Sequence, residues 1–414
     1  MASTPTNPSP EEPSDAPGAP AARGTVGSAA QAKNQLAKKV LRRSKNAVRR
    51  AEEQRKGWRR SLRRSKRFRE DYWKFLRKEF RWETSFRQRQ PLWWGRGFLS
   101  RSATLYNLEQ NDPGDYVSDV QRYTRTRHMV HPHLQDVLHN KFTFFLLMSQ
   151  LGLDSDTVPL LGVHYRGDVH VFPGDEQIPL ADFLREHLDV GQKVFVKPFR
   201  GAEGKNVRAV RRTGEDSFVM DGEPASFEQV HDWLAGRPRP MAIETAVAQA
   251  PAQAALNPEA TNTIRVLTMP DITRGKEPFI VIAVQRIATA KSNHVDNWTR
   301  GGLSAEIDLE TGKLGKASRL PDGRELEWFS VHPDVGSQIE GAQVPFWEET
   351  KALVLEAAQR LNFLEYIGWD IIISPTGPVI LEGNVNSGMN VLQVHRPLLT
   401  DPRVRRYFEK RGVV

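Results

Sequence analysis

The sequence predicts a mixed α+β protein built from antiparallel hairpins rather than a doubly wound parallel sheet, with a basic helical region in front of it. Three observations carry this. Short alternating, β-branched runs recur from Gly162 on: GVHYRG, KVFVKPF, MAIETAVA, TNTIRVLTM and PFIVIAVQRIA. PFWEETKALVLEAAQRL has the spacing of an amphipathic helix from about Pro345 to Leu361. YIGWDIIISPTGPVILEGNVNSG then reads as strand, turn, strand, with Pro-Thr-Gly-Pro at the turn, which leaves no room for a crossover helix. No internal repeat is present.

Composition bounds the possibilities. The 414 residues allow two or three domains at about 150 residues each. Net charge is +9, but residues 31–90 hold 23 Lys and Arg against 6 Asp and Glu, a balance of +17 that leaves −8 for the rest. Any polyanion or membrane argument therefore belongs to that segment. The chain has no cysteine, which excludes a disulfide framework, a cysteine zinc site and a cysteine nucleophile. No apolar run reaches the ~18 residues of a membrane span, and the start lacks the apolar core of a secretory signal. A cytoplasmic protein is expected, peripheral at the inner face of the membrane if the basic segment docks there.

Residues 1–30, rich in Pro, Ala, Ser and Gly, are expected to be a disordered tail. Residues 31–95 form the basic helical region. Phe68, Tyr72, Phe75, Leu76 and Phe80 follow helical spacing, with Trp58, Trp73, Trp82, Trp93 and Trp94 among or just after the arginines. Three readings stay open: a charged helix packing its aromatic stripe on the next domain, a helix lying on an anionic membrane surface, and a nucleic-acid arm, which the Trp and Phe content disfavours. Residues 96–140 carry His128, His131, His133 and His139; ordinary polar contacts are preferred over a metal site, because Pro132 interrupts the run and only Asp136 supplies a carboxylate nearby. NKFTFFLLMSQLGL, from Asn140, is a helix ending near Gly152.

The last hairpin carries the strongest chemical signal. Glu382 and Asn384 are two apart on one strand and share a face. The short turn brings Asp370 beside Glu382. Two carboxylates and an amide oxygen are the donors a hard cation such as Mg²⁺ takes; an exposed hairpin face with chance acids is the alternative. FVKPFRGAEGKNV is the second element. It is not a Walker loop, since Asn206 follows Gly204-Lys205 and Phe199 stands five before Gly204. Either Lys197, Gly201, Gly204 and Lys205 hold phosphate another way, or this is a hairpin turn. Lys141, at the start of an apolar helix, is the third element.

In this order the parts resemble the ATP-grasp superfamily, and within it the bacterial sugar-transfer-associated, alpha-L-glutamate-ligase-related proteins, over roughly residues 130–400. The resemblance implies two α+β subdomains clasping ATP, an N-terminal lid subdomain at 141–243 and a C-terminal catalytic one at 244–414. It implies that Lys141 and Lys197 contact ATP phosphates, that Gly201, Gly204 and Lys205 belong to a glycine-rich lid, and that Glu244 and Val247 receive the adenine. Asp370, Glu382 and Asn384 resemble ligands of magnesium, two ions with manganese as an alternative, and Glu382 shared between them. Arg265 resembles a basic residue near the transferred phosphate. Arg286, Asn297, Gly301 and Gly302 resemble a stretch shared with glutamate-adding ligases. The chain departs in reading GNVNSGMN after Glu382, without the proline-glycine that often closes this motif, and in lacking a second acid for the ribose, for which Gln249 or Gln253 would substitute.

The activity the resemblance implies is carboxylate–amine ligation through an acylphosphate, in surface polysaccharide or glycoconjugate assembly, on a small acid with an amine or hydroxyl acceptor. Kinase-type transfer to a hydroxyl is the first alternative. A membrane- or polyanion-binding protein with a vestigial ATP site is the second.

Overall fold

The computed structural model describes residues 69–80, 89–126, 129–174, 176–201, 206–293, 295–321, 323, 325–385 and 387–414. The expected tail, most of the basic region, His128, Gly204 and Lys205 lie outside the described residues. The chain forms two units, Met1–Glu70 and Asp71–Val414. Among the described residues, the second unit holds two sheets and the residues of the candidate site.

Helix α1 spans residues 69–80. From Asp71 on, its inner side carries Tyr72, Phe75 and Leu76, which pack with Leu99, Val120, Trp94 and Tyr123. Buried Glu79 ends this face, and its Oε2 accepts from the Ser100 amide at 2.9 Å. Asp119 accepts from the adjacent Leu99 amide at 2.9 Å. These two acids satisfy free N–H groups at the start of the short helix Ser100–Leu105. Helix α2 (Pro132–His139) follows, capped by His131, and then α3 (Lys141–Gln150), capped by Asn140, whose Oδ1 accepts from Phe142 and Thr143 N–H.

The first sheet holds β1 (Leu160–Tyr165), β2 (Asp168–Val171), β3 (Gln177–Pro179), β4 (Lys193–Pro198), β5 (Arg208–Arg212), β6 (Ser217–Met220), β7 (Glu223–Ser226) and β8 (Met241–Thr245), in the order β3-β2-β1-β8-β4-β5-β6-β7. Its pairings are antiparallel, as the hairpin pattern predicted. Helix α4 (Phe227–Ala235) begins with a Ser226–Gln229 capping box and buries Phe227, Val230 and Leu234 against the strands. The last central strand, β8, places Glu244 inside this sheet.

The second sheet holds β9 (Thr263–Asp271), β10 (Glu277–Ile287), β11 (Leu303–Ile307), β12 (Leu314–Arg319), β13 (Trp328–Phe329), β14 (Ile367–Ser374) and β15 (Gly377–Val385), in the order β13-β12-β11-β10-β9-β14-β15. It too is antiparallel. Strand alternation sorts its side chains. Ile264, Val266, Trp369 and Ile371 enter a core shared with helix α5 (Trp347–Arg360) and with Leu138, Phe144 and Met148 of α2 and α3. Leu267, Met269, Ile282 and Val284 pack instead with Tyr407 and Phe408 of helix α6 (Pro402–Lys410). The polar positions at the open end of this second face make the functional site.

Burial raises the Asp119 carboxyl to about 6, helped by the nearby Glu79 charge and opposed by its bonds to the Leu99 amide and the Ser102 hydroxyl. A carboxyl raised on folding binds protons more tightly in the native state, so stability falls as pH rises from about 4 through about 6. Asp119→Asn keeps an acceptor for Leu99 and removes that charge. Its urea midpoint should exceed that of the wild type at pH 7, by up to an energy on the order of 3 kcal/mol, and converge with it near pH 4.

Candidate functional site

The site is built on one row across three strands. Arg265 on β9 is the register partner of Asp370 on β14, and Asp370 is the partner of Glu382 on β15. Cross-strand partners share a face, so one basic and two acidic side chains stand together. Asp370↔Glu382 is followed by Ile371↔Ile380, which leaves Leu381 as the extra residue of a bulge beside the two acids. Asn384 pairs with Gly368 in the next row.

Asp370 is buried, and its charge is met from two strands. Arg265 donates to both carboxylate oxygens, through Nε to Oδ1 and through Nη2 to Oδ2 at 2.9 Å, while its Nη1 reaches the Ser387 hydroxyl at 2.8 Å. Arg286 on β10 donates through Nη2 to Asp370 Oδ2 at 3.1 Å. Burial pushes the Asp370 carboxyl up, but the Arg265 and Arg286 charges outweigh it and hold the group below its ordinary range. Arg286 is in turn fixed by Thr263 Oγ1, which accepts from its Nε at 2.9 Å and its Nη2 at 2.5 Å, and by Asp296 at 3.5 Å. Asp296 also accepts from the Thr263 N–H at 3.1 Å and from its hydroxyl. Burial weakens the Arg286 charge, yet Asp296, Asp370 and Glu382 together raise its pKa. Its Nη1 has no hydrogen-bond partner among the described residues.

Glu382 is more open, with a side chain 34% exposed. Lys141 Nζ lies 3.6 Å from its Oε2, and Asn384 Nδ2 donates to its Oε1 at 3.0 Å. Lys141 thus reaches the second sheet from the first residue of α3. Its own N–H donates to Phe199 O at 2.9 Å, and Phe142 stacks on Phe199 at 5.4 Å, so the end of β4 is held against the start of α3. Lys197 on β4 pairs with Glu244 on β8 at 2.6 Å. Gly201 is exposed, and Val247 is half-buried just after β8.

The sequence-derived residues therefore fall into two clusters. Arg265, Arg286, Asp370, Glu382, Asn384 and Lys141 are joined on the second sheet; Lys197 and Glu244 are joined on the first. Arg265 spends all three nitrogens on Asp370 and Ser387, which makes it a clamp on a carboxylate as well as a cation facing the site. Asn297 is taken up locally: its Oδ1 caps the turn Trp298–Arg300 by accepting from Thr299 N and Oγ1. Gly302 closes this turn, since a Cβ there would meet Asn297 O at 3.0 Å. Neither glutamine stands ready for a ribose. Gln249 bonds Ala260 O and Asn262 N, and Gln253 is buried. Sequence reasoning missed Thr263, Asp296, Gly368 and Ser387, although each adjoins or lies within one of the motifs that carry the chemistry.

Residues 121–403 match the sugar-transfer-associated ATP-grasp family. The chain belongs to that family. Its two sheets and their helices are an ATP-grasp fold. Solved ATP-grasp proteins align over part of their lengths. D-alanyl-alanine synthetase A from Vibrio cholerae is 14% identical with a TM-score of 0.36, over 67% of this chain and 63% of that one. VanG D-Ala:D-Ser ligase from Enterococcus faecalis is 11% identical with a TM-score of 0.36, over 65% and 61%. The ATP-grasp ligase PsnB, solved with precursor peptide PsnA2 and AMPPNP, is 13% identical with a TM-score of 0.33, over 68% and 61%. The chain thus spans about three fifths of the length of these proteins. Among curated proteins, none matches the sequence.

The donor set suits the hard cation that accompanies ATP. The Asp370 and Glu382 carboxyls are cross-strand partners on one face, an arrangement of like charges that a cation relieves. The arginine bonds use three of about four lone-pair sites on Asp370. Among the described residues Glu382 Oε2 pairs with the Lys141 ammonium, and Asn384 Oδ1 accepts no hydrogen bond.

Gly368 tests the row directly. A Cβ there would lie 2.6 Å from Ser387 Cβ and 3.2 Å from Arg265 Cδ. Gly368→Ala should displace the Arg265 clamp, lower the unfolding free energy by about 1–3 kcal/mol in denaturant melts, and reduce nucleotide hydrolysis more than Gly377→Ala, a change at an open turn position whose positive φ makes it a strained control.

Proposed function

We propose that this chain is a Mg·ATP-dependent ligase of the carboxylate–amine type, working on a sugar-containing or surface-polymer precursor. The observation that carries the reading is the joined set on the second sheet, where the Arg265, Arg286 and Lys141 cations and the Asn384 amide surround the Asp370 and Glu382 carboxylates, with Lys141 reaching in from α3. A structural ion pair needs only two members. This set leaves Arg286 Nη1, Lys141 Nζ, Glu382 Oε2 and Asn384 Oδ1 for a polyanion and its cation. The family's association with sugar transfer supports the precursor class.

In this reading Glu382, Asn384 and the remaining Asp370 lone pair would hold magnesium, which would supply charge neutralisation for phosphate oxygens. Lys141 and Lys197 offset triphosphate charge. Lys197 does so by leaving Glu244, which then accepts from the adenine amine. Arg286 offers Nη1 to the acid substrate or to the γ-phosphoryl oxygens, its position fixed beforehand by Thr263, Asp296 and Asp370. The acid's oxygen bonds to the γ-phosphorus as the bond to ADP breaks, giving an acylphosphate. The amine then bonds to the acyl carbon, phosphate leaves, and the amine's proton passes to solvent. The chain around Gly201 shields that intermediate from water.

Glu382→Gln keeps shape and removes charge. Magnesium-dependent nucleotide binding, followed by calorimetry, should weaken at least about tenfold, while unfolding stays cooperative; unchanged affinity would sink the site. A screen of amino acids and acidic sugars with ATP decides the chemistry. ADP, phosphate and a new amide support ligation, whereas ADP with a phosphorylated acceptor supports a kinase.

A further inference from the structure

Helix α1 presents two different faces after Asp71. Its inner face is occupied by the packing of Tyr72, Phe75 and Leu76 on Leu99 and Val120. The exposed residues between Asp71 and Phe80 are Trp73, Lys74, Arg77 and Phe80, and each is aromatic or cationic. Trp73 is 65% exposed and Phe80 55% exposed. The acids of this stretch are turned away from that composition: Glu79 is buried on the Ser100 amide, and Asp71, its side chain mostly buried, pairs with Lys74 at 3.5 Å. Phe80 touches Trp94 edge to face at 5.9 Å, which places the helix beside the turn at Pro91–Trp94, where Leu92 is 71% exposed. Arg96, just beyond, is exposed as well.

Exposed tryptophan, phenylalanine and leucine are costly in water and are seldom grouped without a use. Lysine and arginine beside them exclude an ordinary apolar protein partner as the best match. A phosphate-bearing lipid surface satisfies both: aromatic rings settle at the headgroup level, alkyl side chains enter the acyl boundary, and cations meet anionic headgroups. We propose that the outer face of α1 and the adjacent Leu92 turn form a docking surface for an anionic membrane. The surface shares no residue with the nucleotide site, so this inference is independent of the ligase reading.

The test uses the full chain and vesicles of phosphatidylcholine, alone or with phosphatidylglycerol. Co-sedimentation should need the anionic lipid and weaken as salt rises. Lys74→Glu with Arg77→Glu should lower partitioning roughly tenfold or more. Trp73→Ser with Leu92→Ser should lower it comparably, without moving the melting temperature, since both side chains are exposed. Absence of wild-type binding to anionic vesicles at low salt would overturn the proposal. So would wild-type binding by both variants, which would assign the attraction to the basic residues before Arg69. Preferential binding to duplex DNA that ignores the Trp73 and Leu92 substitutions would make the surface a nucleic-acid site instead.

Discussion

A buried carboxylate on a central strand is the constraint around which this site is organised. Asp370 sits on β14, with β9 on one side and β15 on the other. An isolated carboxylate there would take up a proton or unfold its surroundings. Two arginines from β9 and β10 hold it ionised, and each arginine needs its own restraint: Ser387 for Arg265, Thr263 and Asp296 for Arg286. Removing one partner from such a set leaves an unpaired buried charge, which costs more than the pair ever contributed. The register of three strands, the bulge at Leu381 and the glycine at 368 therefore all serve the same requirement. The arginines keep Asp370 charged beside Glu382 and Asn384, its half-buried neighbours on the same face.

The range of each interaction decides how much of it the sequence disclosed. The hairpin was legible because its turn is short and side chains alternate with a period of two, so Asp370, Glu382 and Asn384 declare their common face locally. The arginines were legible as residue types in strands but not as clamps. Their partner lies 105 residues away from Arg265 and 84 from Arg286, and only the order of strands in the sheet brings it near. Asn297 drew attention as part of a motif, yet Asn before a turn most often caps it, and here the neighbouring Asp296 enters the cluster instead. Ser387 and Gly368 carry no local signal. One is recognised only by what it holds, the other by the side chain it lacks.

The two lysines show how the same residue type is used differently by context. Lys197 lies in a strand, with Glu244 on the adjoining strand at 2.6 Å, so its charge is stored in a close pair until a ligand competes for both. Lys141 begins a helix and stands 3.6 Å from a half-open carboxylate, a looser contact in which the ammonium keeps most of its donors.

Helix α1 belongs to the same network. Its Glu79 bonds the amide of Ser100, the first residue of a short helix whose Ser102 hydroxyl accepts from Asn390 Nδ2 at 2.9 Å. Asn390 lies three residues beyond Ser387, the hydroxyl that steadies Arg265. A surface helix is thus tied by buried hydrogen bonds to the segment that orients the central arginine. Such a tie carries orientation without requiring any change of shape. A body fixed to a surface through α1 would hold its catalytic face at one angle to that surface. A free amphipathic helix on a tether would not, because the tether would let the body rotate. Glu79, buried at a desolvation cost, is the group through which α1 makes this tie, by its bond to the Ser100 amide.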